Sequence, residues 1–172
     1  MILHAVFCFS QKAFASTSIK FTDVNENNWF YKDVMELTNR GLISGYSDKT
    51  FKPNSQIRVD EFIKILISAI DKDIKSSQNG YWADNYINKA KELGIVNDGE
   101  FSDYTRNITR GEIARMIVRA GEETNANEKG ISLDVPDNYK SYYYLISDYS
   151  TLDSNSQEIA LKIFTSGIIT GL

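Results

Sequence analysis

The feature that most constrains this chain is an internal repeat with a period of about 50 residues. The stretch from Trp29 to Ile43 aligns with the stretch from Trp82 to Val96, and in both copies the Trp lies the same distance ahead of a Gly. Further pairs keep nearly the same offset: Phe51 with Phe101, Ile57 with Ile108, and Glu61 with Glu112. Chains of this kind stack copies of one supersecondary unit, and neighbouring copies share a core.

A third, partial copy closes the sequence. The segment Gly167-Ile168-Ile169-Thr170-Gly171 matches Gly41-Leu42-Ile43-Ser44-Gly45, and the sequence stops before a second half. We expect the tyrosines of an insertion ahead of Gly167 to pack a helix onto the rest of the fold, and a sugar-stacking patch is the alternative. These tyrosines are Tyr139, Tyr142, Tyr143, Tyr144 and Tyr149.

Each copy has the pattern of a helix, a loop and a second helix, which predicts an all-α fold. The first helix is expected from about Asn28 to Arg40 because its apolar residues fall at helical spacing. Gly41, Gly94 and Gly167 are expected to end the first helices. The second helices are apolar on nearly every side, which is typical of buried central helices. Their apolar residues are Phe62, Ile63, Ile65, Leu66, Ile67, Ala69 and Ile70 in one copy, and Ile113, Ala114, Met116, Ile117, Val118 and Ala120 in the next.

The N-terminus is typical of an exported protein. Residues 2–9 are mostly apolar and Ala13-Phe14-Ala15 is an A-x-A cleavage pattern, so we interpret residues 1–15 as part of a signal peptide. Cys8 and His4, the only residues of their types, fall inside it. The mature chain would then lack disulfides, thiolate metal sites and a Ser-His-Asp triad.

Charge and motif spacing narrow the possible partners. A formal net charge of −4 without a basic stripe argues against general binding of nucleic acid. Beyond the leader, no stretch of sequence reaches the roughly 18 apolar residues of a membrane span.

Asp23-Val24-Asn25-Glu26-Asn27 resembles the start of an EF-hand, but Asn28 stands where that loop needs Gly and Val34 where it needs Glu. We therefore expect no metal site and no cofactor.

Several motifs occur in a fixed order along the chain. They are Phe21-Thr22-Asp23-Val24, Trp29, the segment Gly41 to Asn54 and, in the second copy, Ile108-Thr109-Arg110-Gly111-Glu112. In this order the motifs resemble the S-layer homology family, and the last of them is similar to that family's I-T-R-A-E signature. The resemblance implies S-layer homology copies at 19–72, 80–121 and 131–172, the last truncated, in a pseudo-threefold helical bundle. It also implies a secreted, non-enzymatic module. Such a module anchors an attached protein by binding secondary cell-wall polysaccharide, often with pyruvylated amino sugars, in grooves between copies.

The signature residues divide between capping and binding. Thr109 and Glu112 are expected to form a capping box at the start of a second helix. Arg110 has no such structural reason, since the positive end of the helix dipole disfavours a cation. We predict that Arg110 binds a ligand carboxylate through two parallel hydrogen bonds, and a solvated or acid-paired Arg is the alternative.

The first copy departs from the signature. Arg58 stands at the capping position and Val59 at the position of Arg110. We therefore expect the capping box to be lost and the first site to be degenerate, with Arg58 a weaker candidate for ligand binding.

Other candidate ligand residues belong to the first helices and the loops. Trp29 and Trp82 suit either sugar stacking or packing between copies, and Asn155 stands at their position in the third copy. Asp23 suits either capping of the first helix or bonding of sugar hydroxyls. The loop residues that would form a groove wall or a plain turn are Gly45, Tyr46 and Asp48.

Two other functional classes stay open from the sequence. In the first, the chain is the anchor fragment of a wall glycoside hydrolase, an enzyme that would use two carboxylates. None of the chain's acidic residues sits in a motif that would separate two pKa values. In the second, the chain is an S-layer protein whose helices pair between copies of the chain. Because the third copy lacks its central helix, we also expect an exposed apolar surface and self-association.

Overall fold

The computed structural model describes residues 20–125 and 133–169, so the predicted signal peptide lies outside the described residues. Within those ranges the fold is all-α, as predicted, and extended segments pair only at one isolated bridge, between Arg58 and Asn107. The chain divides at residue 56 into two compact units, the first containing α1 and the second containing the later elements. The elements are α1 (Tyr31–Asn39), α2 (Val59–Ile70), α3 (Asp84–Glu92), α4 (Arg110–Asn125), two 3₁₀ helices (Tyr139–Leu145 and Tyr149–Thr151) and α5 (Ser154–Thr165).

Glycines in the left-handed conformation end the first helices, which confirms the prediction. Gly41, Gly94 and Gly167 have φ angles of +74°, +66° and +71°. After α1, the N–H of Gly41 donates to the Thr38 carbonyl at 2.9 Å and the N–H of Leu42 donates to the Leu37 carbonyl at 3.0 Å. These two bonds form a Schellman motif, which satisfies carbonyls that the end of a helix would otherwise leave unpaired.

The core of the second unit is built from helices of different copies. The second helix of the first copy, α2, packs against the first helix of the second copy, α3, and α4 packs against α5 in the same way. α2 also contacts α4, so the apolar second helices carry the shared core. Each fully buried aliphatic side chain contributes roughly 1.5–3 kcal/mol to stability. The largest of these aliphatic side chains are Ile63, Ile67, Ile95 and Met116.

Two helix boundaries differ from those expected. α1 begins at Tyr31 rather than near Asn28, because the Asn28 side chain accepts a bond from the Asn25 N–H at 2.7 Å and holds the preceding residues in turns. α4 continues past Gly121 to Asn125. Its extension bears Glu122, which pairs with Lys162 of α5 at 2.5 Å. The pseudo-threefold arrangement of the copies stays a prediction.

The tyrosine-rich insertion folds as 3₁₀ helices against α5. The expectation that these tyrosines pack a helix onto the rest of the fold is wrong for Tyr143 and Tyr144, which are 55% and 69% exposed. Side chains three residues apart in a 3₁₀ helix lie on one face, so a helix of this type buries some neighbours and exposes others. Tyr139, which is partly buried, donates its hydroxyl to the Glu158 carboxylate of α5 at 3.4 Å.

In residues 20–125 and 133–169, no helix has the combined length and apolar character that a bilayer span requires. The longest helix of those ranges, α4, has 16 residues, whereas a span needs about 20. Over the same described part of the chain, His, Cys, Asp and Glu side chains form no group of three that could hold a metal ion.

Candidate functional site

The start of α4 is held by a reciprocal cap. The N–H of Thr109 donates to the Glu112 carboxylate at 2.8 Å, and the N–H of Glu112 donates to the Thr109 hydroxyl at 3.3 Å. Arg106 adds a two-pronged ion pair to the same carboxylate at 2.5 and 3.0 Å. The Arg106 guanidinium, with help from Thr109, lowers the pKa of Glu112 to about 2. The Glu112 carboxylate is therefore ionised and has a structural role at the start of α4.

Beside this cap, Arg110 and Gly111 are exposed. A Cβ placed on Gly111 would find no atom within 4 Å, so the surface next to the Arg110 backbone is open. A guanidinium offers a fork of N–H donors that matches a carboxylate, and the first turn of a helix favours negative charge. The start of α4 can therefore receive an anionic group.

The start of α2, in the first copy, is covered instead. Val59, the counterpart of Arg110, is fully buried. The N–H groups of Val59 and Asp60 donate to the carbonyls of Arg106 and Tyr104, both at 3.0 Å. A strand-like segment of the second copy thus lies across the first turn of α2 and satisfies its backbone donors, which a helix start otherwise leaves unpaired.

Arg58 is paired with a buried carboxylate. Its Nε and Nη2 atoms donate to Asp60 at 3.0 and 2.8 Å, and the carboxylate of Asp60 is fully buried. The hydroxyl of Tyr81, at the beginning of the second copy, donates to the same carboxylate. The capping box expected to be lost is half retained, because Glu61 still accepts from the Arg58 N–H at 3.0 Å. The other half is missing, since a guanidinium has no acceptor.

In the first unit, Asp23 fastens a loop to the segment that precedes α1. Its two carboxylate oxygens accept from the N–H groups of Phe51 and Lys52 at 2.8 and 2.7 Å. These bonds lower the pKa of Asp23, the bond from Phe51 most of all. Asp23 therefore does not cap α1, whose N-cap residue, Phe30, makes no side-chain cap.

The structure brings the other predicted loop residues together. Gly45 has a φ of +67°, and a Cβ there would collide with the Phe21 ring and with the Thr50 carbonyl, 2.7 Å away. Asp48 accepts from the Thr50 N–H at 3.0 Å. The Lys52 ammonium lies 4.2 Å from the centre of the Tyr46 ring, and Tyr46 is 38% exposed. The loop is thus a rigid turn that presents one aromatic ring.

The two tryptophans differ in their surroundings. Trp29 is 63% exposed and meets Phe30 edge to face, with ring centres 5.2 Å apart. Trp82 is half-buried against the core of the second unit, 5.9 Å from the Tyr81 ring and 6.3 Å from the Tyr86 ring. Trp82 therefore packs the second unit, whereas Trp29 presents its indole to solvent.

Sequence reasoning missed Asp60, Tyr81 and Arg106 as partners at the helix starts. One signal could have revealed Asp60, since it is an acidic residue at the start of a helix that is otherwise almost entirely apolar. A buried carboxylate requires a cationic partner or several donors. Tyr81 carries no comparable signal, because its partner Asp60 lies 21 residues away in the other copy. Arg106 lies six residues before Glu112, outside the spacing of the capping motif, so the motif does not reveal their ion pair.

Comparison with known proteins adds independent findings. Residues 20–62 match the family model described as the S-layer homology domain. An endoglucanase of Bacillus sp. strain KSM-635 is 29% identical over 91% of this chain and 16% of its own length. A cellulosome-anchoring protein of Acetivibrio thermocellus is 27% identical over 86% of this chain and 37% of its own length. A surface-layer 125 kDa protein of Lysinibacillus sphaericus is 26% identical over 86% of this chain and 14% of its own length.

The chain spans 14% to 37% of the length of these three relatives. Surface-layer and anchoring proteins are among them, which places this chain at the cell surface. The match of the first copy to the family model and the relatives that extend over most of the chain agree with the repeated motifs. The chain contains an S-layer homology domain at residues 20–62.

Proposed function

We propose that the chain is a non-catalytic anchor that holds an attached protein on the cell wall by binding an acidic secondary cell-wall polysaccharide. The observation that carries the proposal is the exposed Arg110 at the start of α4, beside the open surface at Gly111. The neighbouring carboxylate of Glu112 already has Arg106 and Thr109 as partners.

The ligand group that fits Arg110 is a carboxylate. A pyruvate ketal on an amino sugar carries one, and a guanidinium can bind it through two parallel hydrogen bonds. The partial positive charge of the α4 N-terminus adds to the attraction. The net charge of the chain is −4, so this attraction is local to the helix start and does not come from the protein as a whole.

Exposed aromatic rings in the first unit supply a second kind of contact. Trp29 and Tyr46 are exposed to solvent, and an aromatic ring can cover the apolar face of a sugar while its polar atom stays hydrated. Asp23, Gly45 and Asp48 hold the loop that carries Tyr46.

The relatives favour anchoring over catalysis. One is named as a cellulosome-anchoring protein, and the endoglucanase is matched over only 16% of its length. We propose that this chain likewise serves as the wall-binding part beside a cargo domain.

Binding to purified secondary wall polymer, measured by calorimetry, tests the proposal. Arg110→Gln is expected to weaken binding at least tenfold without loss of helicity. Arg40→Gln is the matched control, because it removes the same charge from an exposed ion pair with Glu36 and should leave affinity unchanged. Equal binding by both variants would refute the role of Arg110. Hydrolysis of wall glycans by this chain alone would favour an enzyme, and lattice formation without polymer would favour self-assembly.

A further inference from the structure

The Arg58 guanidinium uses one of its edges to bind a buried carboxylate. Its Nε and Nη2 atoms donate to the two oxygens of Asp60 at 3.0 and 2.8 Å. This pairing engages one of the two hydrogens on Nη2 and leaves both hydrogens on Nη1 unused. Among the residues that the structure describes, Asp60 accepts every hydrogen bond of the Arg58 side chain. That side chain is 38% exposed, so its second edge is available to a ligand.

Asp60 is also held by groups other than Arg58. The hydroxyl of Tyr81 and the N–H of Glu61 both donate to its carboxylate, the latter at 2.8 Å. Tyr81 lies just before α3, the helix of the second copy that packs against α2. A fully buried carboxylate is tolerated when its oxygens are paired in this way. Asp60 is therefore a fixed acceptor that sets the direction of the Arg58 guanidinium.

We infer that Asp60 is a positioning residue, which holds Arg58 so that the Nη1 and Nη2 edge of the guanidinium binds the carboxylate of an acidic sugar. The first copy is then a ligand site in addition to the start of α4. The inference rests on the proposed function and deepens it, because it adds a site of the same ligand chemistry and names the residue that orients it.

The comparison of the copies supports this assignment. Val59 stands at the position of the signature arginine and is fully buried. The cation stands one residue earlier, at Arg58, and the acid that holds it stands one residue later, at Asp60. In the second copy these two positions hold Thr109 and Gly111. The arginine and its acid thus occur together, in the copy whose signature position is apolar.

A ligand at the second edge of Arg58 would not disturb the buried pair. All four bonds of Asp60 stay in place, so no buried charge loses a partner. Because the guanidinium is already fixed, binding costs less side-chain entropy than it would at a mobile arginine. The charge of Asp60 offsets part of the charge of Arg58, so the ligand is held mainly by two directed hydrogen bonds at short range.

Calorimetric titration with a short saccharide that carries a single pyruvate ketal counts the sites. We expect the unmodified chain to bind two molecules of this probe. The double variant Arg58→Gln/Asp60→Asn removes both charges, so that neither is left unpaired, and is expected to lose one of the two sites. Arg110→Gln is the counterpart and should lose the other. Two sites in the folded double variant would overturn the inference.

Two single variants test the positioning role. Arg58→Lys keeps a cation beside Asp60 but has no second edge, so it should lose the first-copy site. Asp60→Asn keeps Arg58 but weakens its hold, and should reduce affinity at that site about tenfold, the size expected for a lost hydrogen bond to a charged group. If both variants only lower the melting temperature and leave the affinity and the number of sites unchanged, the pair is purely structural and the inference fails.

The same titrations separate this inference from the proposed function. A single site in the unmodified chain, abolished by Arg110→Gln and unaffected by the variants at Arg58 and Asp60, would overturn the inference and leave the proposed function intact. An unmodified chain that binds neither the pyruvylated saccharide nor purified wall polymer would overturn both.

Discussion

The carboxylate of Asp23 receives the backbone N–H of Phe51 at 2.8 Å, across 28 residues of sequence. With the second bond from Lys52, it closes the first unit around the loop that presents Tyr46. Gly45 lies against the Phe21 ring, with which a Cβ at this position would collide. The position of Tyr46 therefore depends on the bonds of Asp23 and on the absence of a side chain at Gly45.

Gly45→Ala is expected to destabilise the first unit more than Gly41→Ala. Both glycines have a positive φ, but a Cβ at Gly41 meets nothing within 4 Å, whereas at Gly45 it meets Phe21 and the Thr50 carbonyl. Backbone strain alone costs about 1 kcal/mol, and the collision adds to it. Thermal melting of the two variants gives the comparison. Equal melting temperatures would contradict the packing around Gly45.

Glu112→Gln should lower stability at neutral pH by about 2 kcal/mol, the range for hydrogen bonds to charged groups. The pKa of Glu112 is lowered to about 2, chiefly by Arg106, so its ionised form stabilises the fold. This contribution is complete above about pH 4.5 and is lost as the pH falls towards 2. Urea unfolding at several pH values should show the two proteins converging across that window. A constant difference between them would count against the ion pair.

Tyr81 should be among the last tyrosines to ionise. Burial, and then the bond to Asp60, raise the pKa of Tyr81 to about 12. Because the folded-state pKa is raised, the protonated phenol stabilises the fold below about pH 10, and that stability is lost as the pH rises towards 12. Alkaline titration followed at 295 nm should lose one late step in Tyr81→Phe. A phenol titrating near pH 10 would contradict its contact with Asp60.

Replacing both Tyr143 and Tyr144 with Ser should leave thermal stability nearly unchanged, because both rings are largely exposed. Tyr86→Ser is the contrasting variant, since Tyr86 is only 4% exposed and its loss should cost about 3–5 kcal/mol. Differential scanning calorimetry measures both. The same double variant can be titrated with wall polymer, and a loss of affinity without a loss of stability would identify these tyrosines as a sugar-stacking patch.

Local rules predicted those parts of the fold that depend on neighbours in sequence. The end of α1 at Gly41 and the apolar character of α2 both follow from residues within a few positions. The reciprocal cap between Thr109 and Glu112 is local in the same sense.

Local rules could not predict the contacts between copies, because these contacts join residues that are far apart in the sequence. The sequence around Arg58 does not indicate that Tyr81 also bonds to the Asp60 carboxylate. The sequence around Val59 does not indicate that the segment with Tyr104 and Arg106 will cover it. The exposure of Trp29 and the burial of Trp82 likewise depend on what lies against each ring, although the two occupy the same place in the repeat. Residues at equivalent positions of the repeat thus have different surroundings when the neighbouring residues of the two copies differ.

The pairing of α2 with α3, and of α4 with α5, has a practical meaning for dissection of the protein. Each copy in the sequence has a first and a second helix, but each packed pair joins the second helix of one copy to the first helix of the next. An excision at the boundaries of a copy would therefore separate both of its helices from the helices against which they pack. Excisions placed within the loops that precede α2 or α4 would instead keep each mated pair together.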